Sequence, residues 1–168
     1  MPSQLVIISG PPHAGKSAAA EALCQRYDRM LHIEMDALHG LLRMGRLRSD
    51  DESQEADRQR RLFIEAACDM ASRFLDAGYG VVIDDVVTED QLSYYRERLA
   101  GSAALAHFVV LLPSLAVLES RAHSVRTAEQ YARFAAWSGV CVIDPGDAAP
   151  ELVADRVMAA AAQGVALL

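Results

Sequence analysis

The stretch Leu5-Val6-Ile7-Ile8-Ser9-Gly10-Pro11-Pro12-His13-Ala14-Gly15-Lys16-Ser17 decides the fold. Its first part is an apolar run rich in β-branched residues and bounded by Ser9-Gly10, which reads as a buried strand. Its second part is the octet GxxxxGKS, and Ser17 to Tyr27 continues as an alanine-rich stretch without a helix breaker. Strand, glycine-bounded loop and helix in that order put residues 10–17 at a strand's carboxyl end and a helix's positive end. Anions are favoured there by oriented N–H groups and the macrodipole together. In such a loop the backbone cradles phosphates, the lysine reaches the outer phosphates and the following hydroxyl serves Mg²⁺. The sequence therefore assigns Gly10, Pro11, Pro12, His13, Ala14, Gly15, Lys16, Ser17 and Ala18 to a bound nucleotide, with Ser17 on the metal.

Lys16 is the single lysine among sixteen basic residues; the other fifteen are arginine. A compact ammonium on a flexible stem fits inside a nest of backbone amides, and a planar guanidinium fork does not. A composition that uses arginine elsewhere but lysine here fits that requirement.

Working outward, strand-like runs recur at 5–9, 31–34, 80–84, 106–112 and 140–143, with helical patterns between them. Such alternation implies parallel strands covered by helices on both faces. The expected fold is α/β: a three-layer α/β/α P-loop NTPase fold with a five-stranded parallel sheet, in one domain over residues 1–168. Leu62, Ile64, Ala66, Ala67, Met70, Ala71 and Phe74 form a helical stripe that Gly78 ends, and Thr88 with Gln91 reads as a capping box. Residues 43–61 hold seven acids or amides and six arginines. This segment is expected to project from the sheet or cover a cleft on the substrate side, the alternative being a solvated helix face or loop.

A net charge of −7 and a pI near 5.1 argue against nonspecific nucleic-acid binding, which depends on neutralising phosphates. Cys24, Cys68 and Cys141 are widely spaced in apolar surroundings and read as buried free thiols of a reducing compartment. No CxxC or His/Cys cluster offers a zinc site. With neither a basic n-region nor a long apolar run, the expectation is a cytoplasmic protein with no membrane partner.

Asp36 follows the second strand and opens a predicted helix over Ala37–Leu42, on the rim where ligands of open α/β sheets bind. A carboxylate there would orient an acceptor hydroxyl and take its proton; a helix N-cap is the other reading of the same position. Val81-Val82-Ile83-Asp84-Asp85 ends the third strand in two acids. Asp84 is expected to hold Mg²⁺, and Asp85, pointing differently, to meet the substrate. Arg121, Arg126 and, less centrally, Arg133 fall where a lid over residues 122–136 would bring guanidiniums to the transferring phosphoryl group. Pro145 and Gly146, in the turn after the last strand, would border the adenine. Arg43, with Arg46 and Arg48, would meet an anionic substrate or remain solvated. His13, His32 and His39 lie near the expected site and receive no task.

With these residues placed, the chain resembles the small P-loop kinases, and among them the chloramphenicol phosphotransferase-like proteins. The likeness lies in the strand leading to Ala14-Gly15-Lys16-Ser17, in Asp36-Ala37-Leu38, in Ile83-Asp84-Asp85-Val86, and in the helix through Arg121. It implies strand order 2-3-1-4-5, a mobile lid, and transfer of the γ-phosphate of ATP to a small molecule's hydroxyl with Asp36 as base. The loop's Gly-Pro-Pro-His and the charged segment 43–61 depart from that pattern and turn the expected acceptor towards polar antibiotic-, sugar- or nucleoside-like molecules. Two alternatives are an ATP-binding regulatory module that transfers nothing and a polynucleotide-end kinase. A chain with one lysine has no Asn-Lys-x-Asp guanine-reading motif, and 168 residues leave little room for the extra domain of an AAA-type motor.

Overall fold

Strand β1 (Gln4–Ser9) runs through the centre of a five-stranded sheet, buried from Leu5 onward. In the computed structural model, residues 4–100, 104–121 and 126–168 are described. The other strands are β2 (Met30–Glu34), β3 (Gly80–Asp84), β4 (Leu105–Leu111) and β5 (Cys141–Ile143). Their order is β2-β3-β1-β4-β5, and every pairing is parallel. The order implied by the family resemblance is the observed one.

Strand parity divides the core into two layers. Leu5 and Ile7 of β1, Val81 and Ile83 of β3, and Phe108 and Val110 of β4 share one face. They pack against Ile64, Ala67, Cys68, Ala71 and Leu75 of α3 (Gln54–Asp76) and Leu92, Tyr95 and Leu99 of α4 (Glu89–Leu99). Val6, Ile8, Val82, Val109 and Leu111 point the other way. They meet Ala19, Ala20 and Leu23 of α1 (Lys16–Cys24), and Val153, Ala154 and Val157 of α7 (Pro150–Ala162). Alternating side-chain direction along fully buried strands requires helices on both sides, which gives the three layers. Small residues let α1 and α7 pack closely.

Local signals act as their chemistry dictates. The capping box of Thr88 and Gln91 opens α4, Ser53 Oγ accepts from the Ala56 amide to start α3, and Gly78 (φ 82°) follows the end of α3. Helix α2 (Met35–Gly40) begins two residues earlier than predicted, with Glu34 at its N-cap position. Asp36 is therefore an acid in the first turn and not the cap. The cause is Met35: buried under the sheet, it takes helical geometry directly from the strand.

The charged stretch 43–61 divides. Residues 54–61 are the first turns of α3 and bind to α4 by Asp57 accepting from the Tyr94 hydroxyl (2.8 Å) and Arg61 pairing with Glu97 (3.0 Å). Residues 41–53 form the connection that lies outside regular secondary structure. Past β4, α5 (Leu115–Arg121) and α6 (Thr127–Ala135) flank residues 122–125, so that part of the expected lid, His123 to Val125 included, lies outside the described residues. Cys68 is buried, whereas Cys24 and Cys141 are only half-buried because each sits at the margin of the α1/α7 layer. Among the described residues no helix is long and apolar enough to cross a membrane.

Candidate active site

The loop after β1 has a buried floor and an exposed crest. Gly10, Pro11, Ala14 and Lys16 are buried; His13, Gly15, Ser17 and Ala18 are exposed. Gly10 adopts φ 143°, and a Cβ built there would stand 2.2 Å from the Leu111 carbonyl oxygen at the end of β4. Only glycine permits that approach. His13 (φ 65°) and Gly15 (φ 93°) turn the backbone into α1, which no side chain caps. The first amides of α1 therefore face the rim without an intramolecular partner of that kind, as an anion site requires.

Lys16 folds back over the loop, its Nζ donating to the Pro11 carbonyl at 3.1 Å. Burial lowers its pKa, while Asp84, Asp85 and Asp36, in that order, oppose the shift. Three carboxylates thus lie within the field of one buried ammonium. The Ser17 hydroxyl donates to Asp84 Oδ1 at 3.3 Å, which sets two hard oxygen donors side by side. No group of three or more His, Cys, Asp or Glu residues that could hold a metal occurs among the described residues. Mg²⁺ does not need one, since it is usually held by one or two protein oxygens with waters and phosphates completing the shell. The donor set fits it.

Strand parity separates the two aspartates of β3's end. Asp84 is buried on the α1 side and meets His32 of β2, whose Nε2 lies 2.5 Å from Asp84 Oδ2. Asp85 turns towards α4 and accepts from the buried Tyr95 hydroxyl at 2.8 Å. Burial raises the Asp85 carboxyl to about 6; the Tyr95 bond, the Val86 amide and Lys16 pull it down, and Asp36 pushes it up. Ser9 Oγ accepts from the Val87 amide (3.0 Å) and donates to the Val87 carbonyl (3.2 Å), fastening β1's end to the segment that follows these aspartates.

Asp36 is exposed at the same rim, close enough to influence Lys16, Asp85 and His39. The His39 ring packs edge-on against Phe63 of α3, docking α2. Arg121, at the end of α5, donates to the His13 carbonyl and to the Gly146 carbonyl, each at 3.4 Å. It thereby joins the loop after β1 to the turn after β5, where the Gly146 amide donates to Asp144 Oδ1 and Pro145 is buried. Arg126 lies elsewhere, donating to Asp50 Oδ2 at 2.6 Å. Arg43 and Arg133 are exposed.

The structure thus brings together Lys16, Ser17, Asp84, Asp85 and Asp36, and separately Arg121 with residues 145–146. It sets Arg126 against the 41–53 connection. His32 was not predicted to take part, although the parity of β2 carried the signal: Leu31 and Ile33 face α3, so His32 must face the side of Asp84.

Comparison with curated proteins returned no match. Among solved structures, the chain is similar to a tunicamycin resistance protein of Deinococcus radiodurans (18% identity, TM-score 0.71, 98% of each chain covered). It is also similar to a sugar kinase from Janibacter sp. (17%, TM-score 0.67, 94% of each chain). A gluconokinase of Sinorhizobium meliloti aligns at 19% identity and TM-score 0.63, over 96% of this chain and 93% of that one. At these identities the likeness concerns the fold. The model of the AAA domain family matches residues 5–139, and the chain belongs to that family.

Proposed function

We propose that the protein is an ATP-dependent kinase that transfers the γ-phosphate to a hydroxyl of a small molecule of antibiotic-, sugar- or nucleoside-like character. The observation that carries this reading is the grouping of one buried ammonium, Lys16, with the carboxylates of Asp84, Asp85 and Asp36 at the carboxyl rim of the sheet. A site that only bound nucleotide would need the lysine and one metal-side acid. The exposed Asp36 is the additional carboxylate, open to solvent and therefore to an acceptor. The fold shared with structures named as a sugar kinase and a gluconokinase supports the same class, and the tunicamycin resistance protein keeps an antibiotic acceptor in view.

In this reading the amides of residues 13–18 bind the phosphates, and Lys16 leaves the Pro11 carbonyl to reach their outer oxygens. Ser17 and Asp84 would hold Mg²⁺, which when bound supplies positive charge to the β- and γ-phosphate oxygens. His32 fixes the Asp84 carboxylate. Arg121 and the Pro145-Gly146 turn border the nucleoside end, Asp36 accepts the acceptor's hydroxyl proton, and Arg126 closes from α6 on the acceptor side. The Asp85 carboxylate, held by Tyr95, forms the wall beside Asp36.

The test is an ATP-consumption screen against pooled antibiotics, sugars and nucleosides, with Lys16→Ala as control. Asp36→Ala should abolish transfer and leave nucleotide binding intact. Undiminished transfer by Asp36→Ala would remove the base assignment. Nucleotide binding without transfer to any acceptor would favour a regulatory module, and strongly salt-dependent oligonucleotide binding would favour a polynucleotide-end kinase.

A further inference from the structure

Residues 46–50 and Arg126 line a shallow, open depression of about 430 Å³, formed by Arg46, Leu47, Arg48, Ser49, Asp50 and Arg126. It lies towards the acceptor side of the rim: the Leu47 amide donates to Gln59 Oε1 of α3 at 3.0 Å, and the same helix packs Phe63 against His39 of α2, three positions after Asp36. Among the described residues that line it are three guanidiniums and one carboxylate, in a chain whose net charge is −7. Like charges gather at a concave surface at an electrostatic cost unless an anion offsets them.

The arrangement already shows what it can hold. Asp50 receives the Arg48 fork through Nε at 2.8 Å and a terminal nitrogen at 3.1 Å, and Arg126 at 2.6 Å. Two guanidiniums carried by separate segments, Asp50 and Arg126 being 76 positions apart, therefore converge on a single oxyanion. Those bonds hold the Asp50 carboxyl well below its ordinary range, the Arg48 bond contributing most and the Arg126 bond next. Arg46 lines the same depression and makes no hydrogen bond or ion pair among the described residues. Fork-shaped donors at this spacing match carboxylate, phosphate or sulfate oxygens.

We infer that this depression receives an oxyanion group of the acceptor, bound by Arg46, Arg48 and Arg126, with Asp50 as the internal counter-ion that the incoming group displaces. The assignment to the acceptor rests on the proposed kinase reading; the anion site itself does not. The hydroxyl acceptor is accordingly an acid or a phosphate or sulfate ester. Its negative group is held by the 41–53 connection and α6 while its hydroxyl reaches Asp36. The bond of Arg126 to Asp50 makes the start of α6 sensitive to whether that group is present.

Two measurements test this. The first is titration of inorganic sulfate into protein saturated with Mg-ADP, so that the phosphate loop is filled, followed by the amide resonances of residues 46–50. Saturable shifts are expected in the wild type, weakened at least about tenfold by Arg46→Gln, the equivalent of one charge-assisted hydrogen bond. Asp50→Asn should tighten sulfate binding, because it removes the competing carboxylate while a purely structural Asp50 would give weakening. Amides that do not move with sulfate, or that respond alike in wild type and Arg46→Gln, overturn the anion site. The second measurement is ATP consumption with matched pairs: a sugar and its acid, a sugar and its phosphate, a nucleoside and its monophosphate. The anionic members should be preferred, and their KM should rise about tenfold in Arg46→Gln, for the same lost bond; the responding pair identifies the group as carboxylate or phosphate. Equal use of both members, unaltered by Arg46→Gln, overturns the acceptor assignment and leaves the kinase reading standing. Sulfate bound at residues 46–50 with no acceptor phosphorylated sinks the kinase reading and leaves the anion site.

Discussion

Gly10→Ala and Gly15→Ala form a matched pair that separates backbone strain from steric contact. Both glycines hold positive φ, 143° and 93°, and both lie in the loop between β1 and α1. A Cβ at Gly15 would meet nothing within 4 Å, so only the backbone preference is lost, about 1–2 kcal/mol. A Cβ at Gly10 would stand 2.2 Å from the Leu111 oxygen, and an ordinary contact of 3.4 Å requires about 1.2 Å of movement between the loop and β4. Strain at such a backbone position costs about 1–3 kcal/mol, and forcing apart packed structure costs about 1–3 kcal/mol more. Gly10→Ala should therefore lose about 2–6 kcal/mol, a large share of the roughly 5–15 kcal/mol that a domain has. Urea denaturation of both variants is the assay, read as the shift in midpoint at constant slope. Nucleotide affinity should also fall in Gly10→Ala, because the displaced atoms carry the loop. Equal midpoints for the two variants would refute the reasoning, since the contact with Leu111 would then contribute nothing.

Three further outcomes follow from other parts of the site. Tyr95→Phe removes the donor to the Asp85 carboxylate and should cost about 1–3 kcal/mol by denaturation, the usual penalty for leaving a buried polar group unpaired. Because burial raises Asp85 from an ordinary 3.8 to about 6, its proton favours the folded state below about 4, and that contribution is lost as pH rises through 6. Asp85→Asn should flatten the pH dependence of stability across that window; an unchanged profile would count against the raised value. His32→Ala frees one Asp84 oxygen from its partner, and calorimetric titration should show weaker Mg-nucleotide binding with metal-free nucleotide binding unchanged. For the thiols, burial pushes Cys68 up to about 12, so an aromatic disulfide reagent should modify Cys24 and Cys141 in the native protein and Cys68 only on unfolding.

The strands and their sequence positions were readable because fully buried parallel strands are written as short apolar runs, and residues 5–9 and 80–84 are of that kind. The turn from β1 into α1 was readable because its glycines act through local backbone geometry, Gly10 at φ 143° and Gly15 at φ 93°. The start of α2 was not, since Glu34-Met35-Asp36 contains no turn residue and the junction is fixed by burial of Met35. Pairings across the sheet were equally hidden. His32 meets Asp84 only once β2 and β3 are in register, with His32 opposite Val82. Asp85 meets Tyr95 through the packing of α4 on the sheet. Arg126 was expected over the transferring phosphate, but its partner Asp50 belongs to a connection with no periodic signal, so nothing in the sequence links the two. The division of 43–61 depended on Ser53, a cap within a polar stretch where several residues were equally eligible.

The single lysine has a practical consequence beyond its proposed role. A protease that cleaves after lysine has one site in this chain, and the structure buries that residue's side chain in the loop after β1. Cleavage there requires the loop to open, so its rate measures how often the proposed nucleotide site comes apart. Adding nucleotide should slow that one cut without other sites to confuse the reading. The same scarcity makes a lysine side chain labelled with ¹⁵N a single-resonance reporter of Lys16 moving from Pro11 to phosphate. The composition of the chain has thus placed one unique chemical handle at the residue proposed to move when nucleotide binds.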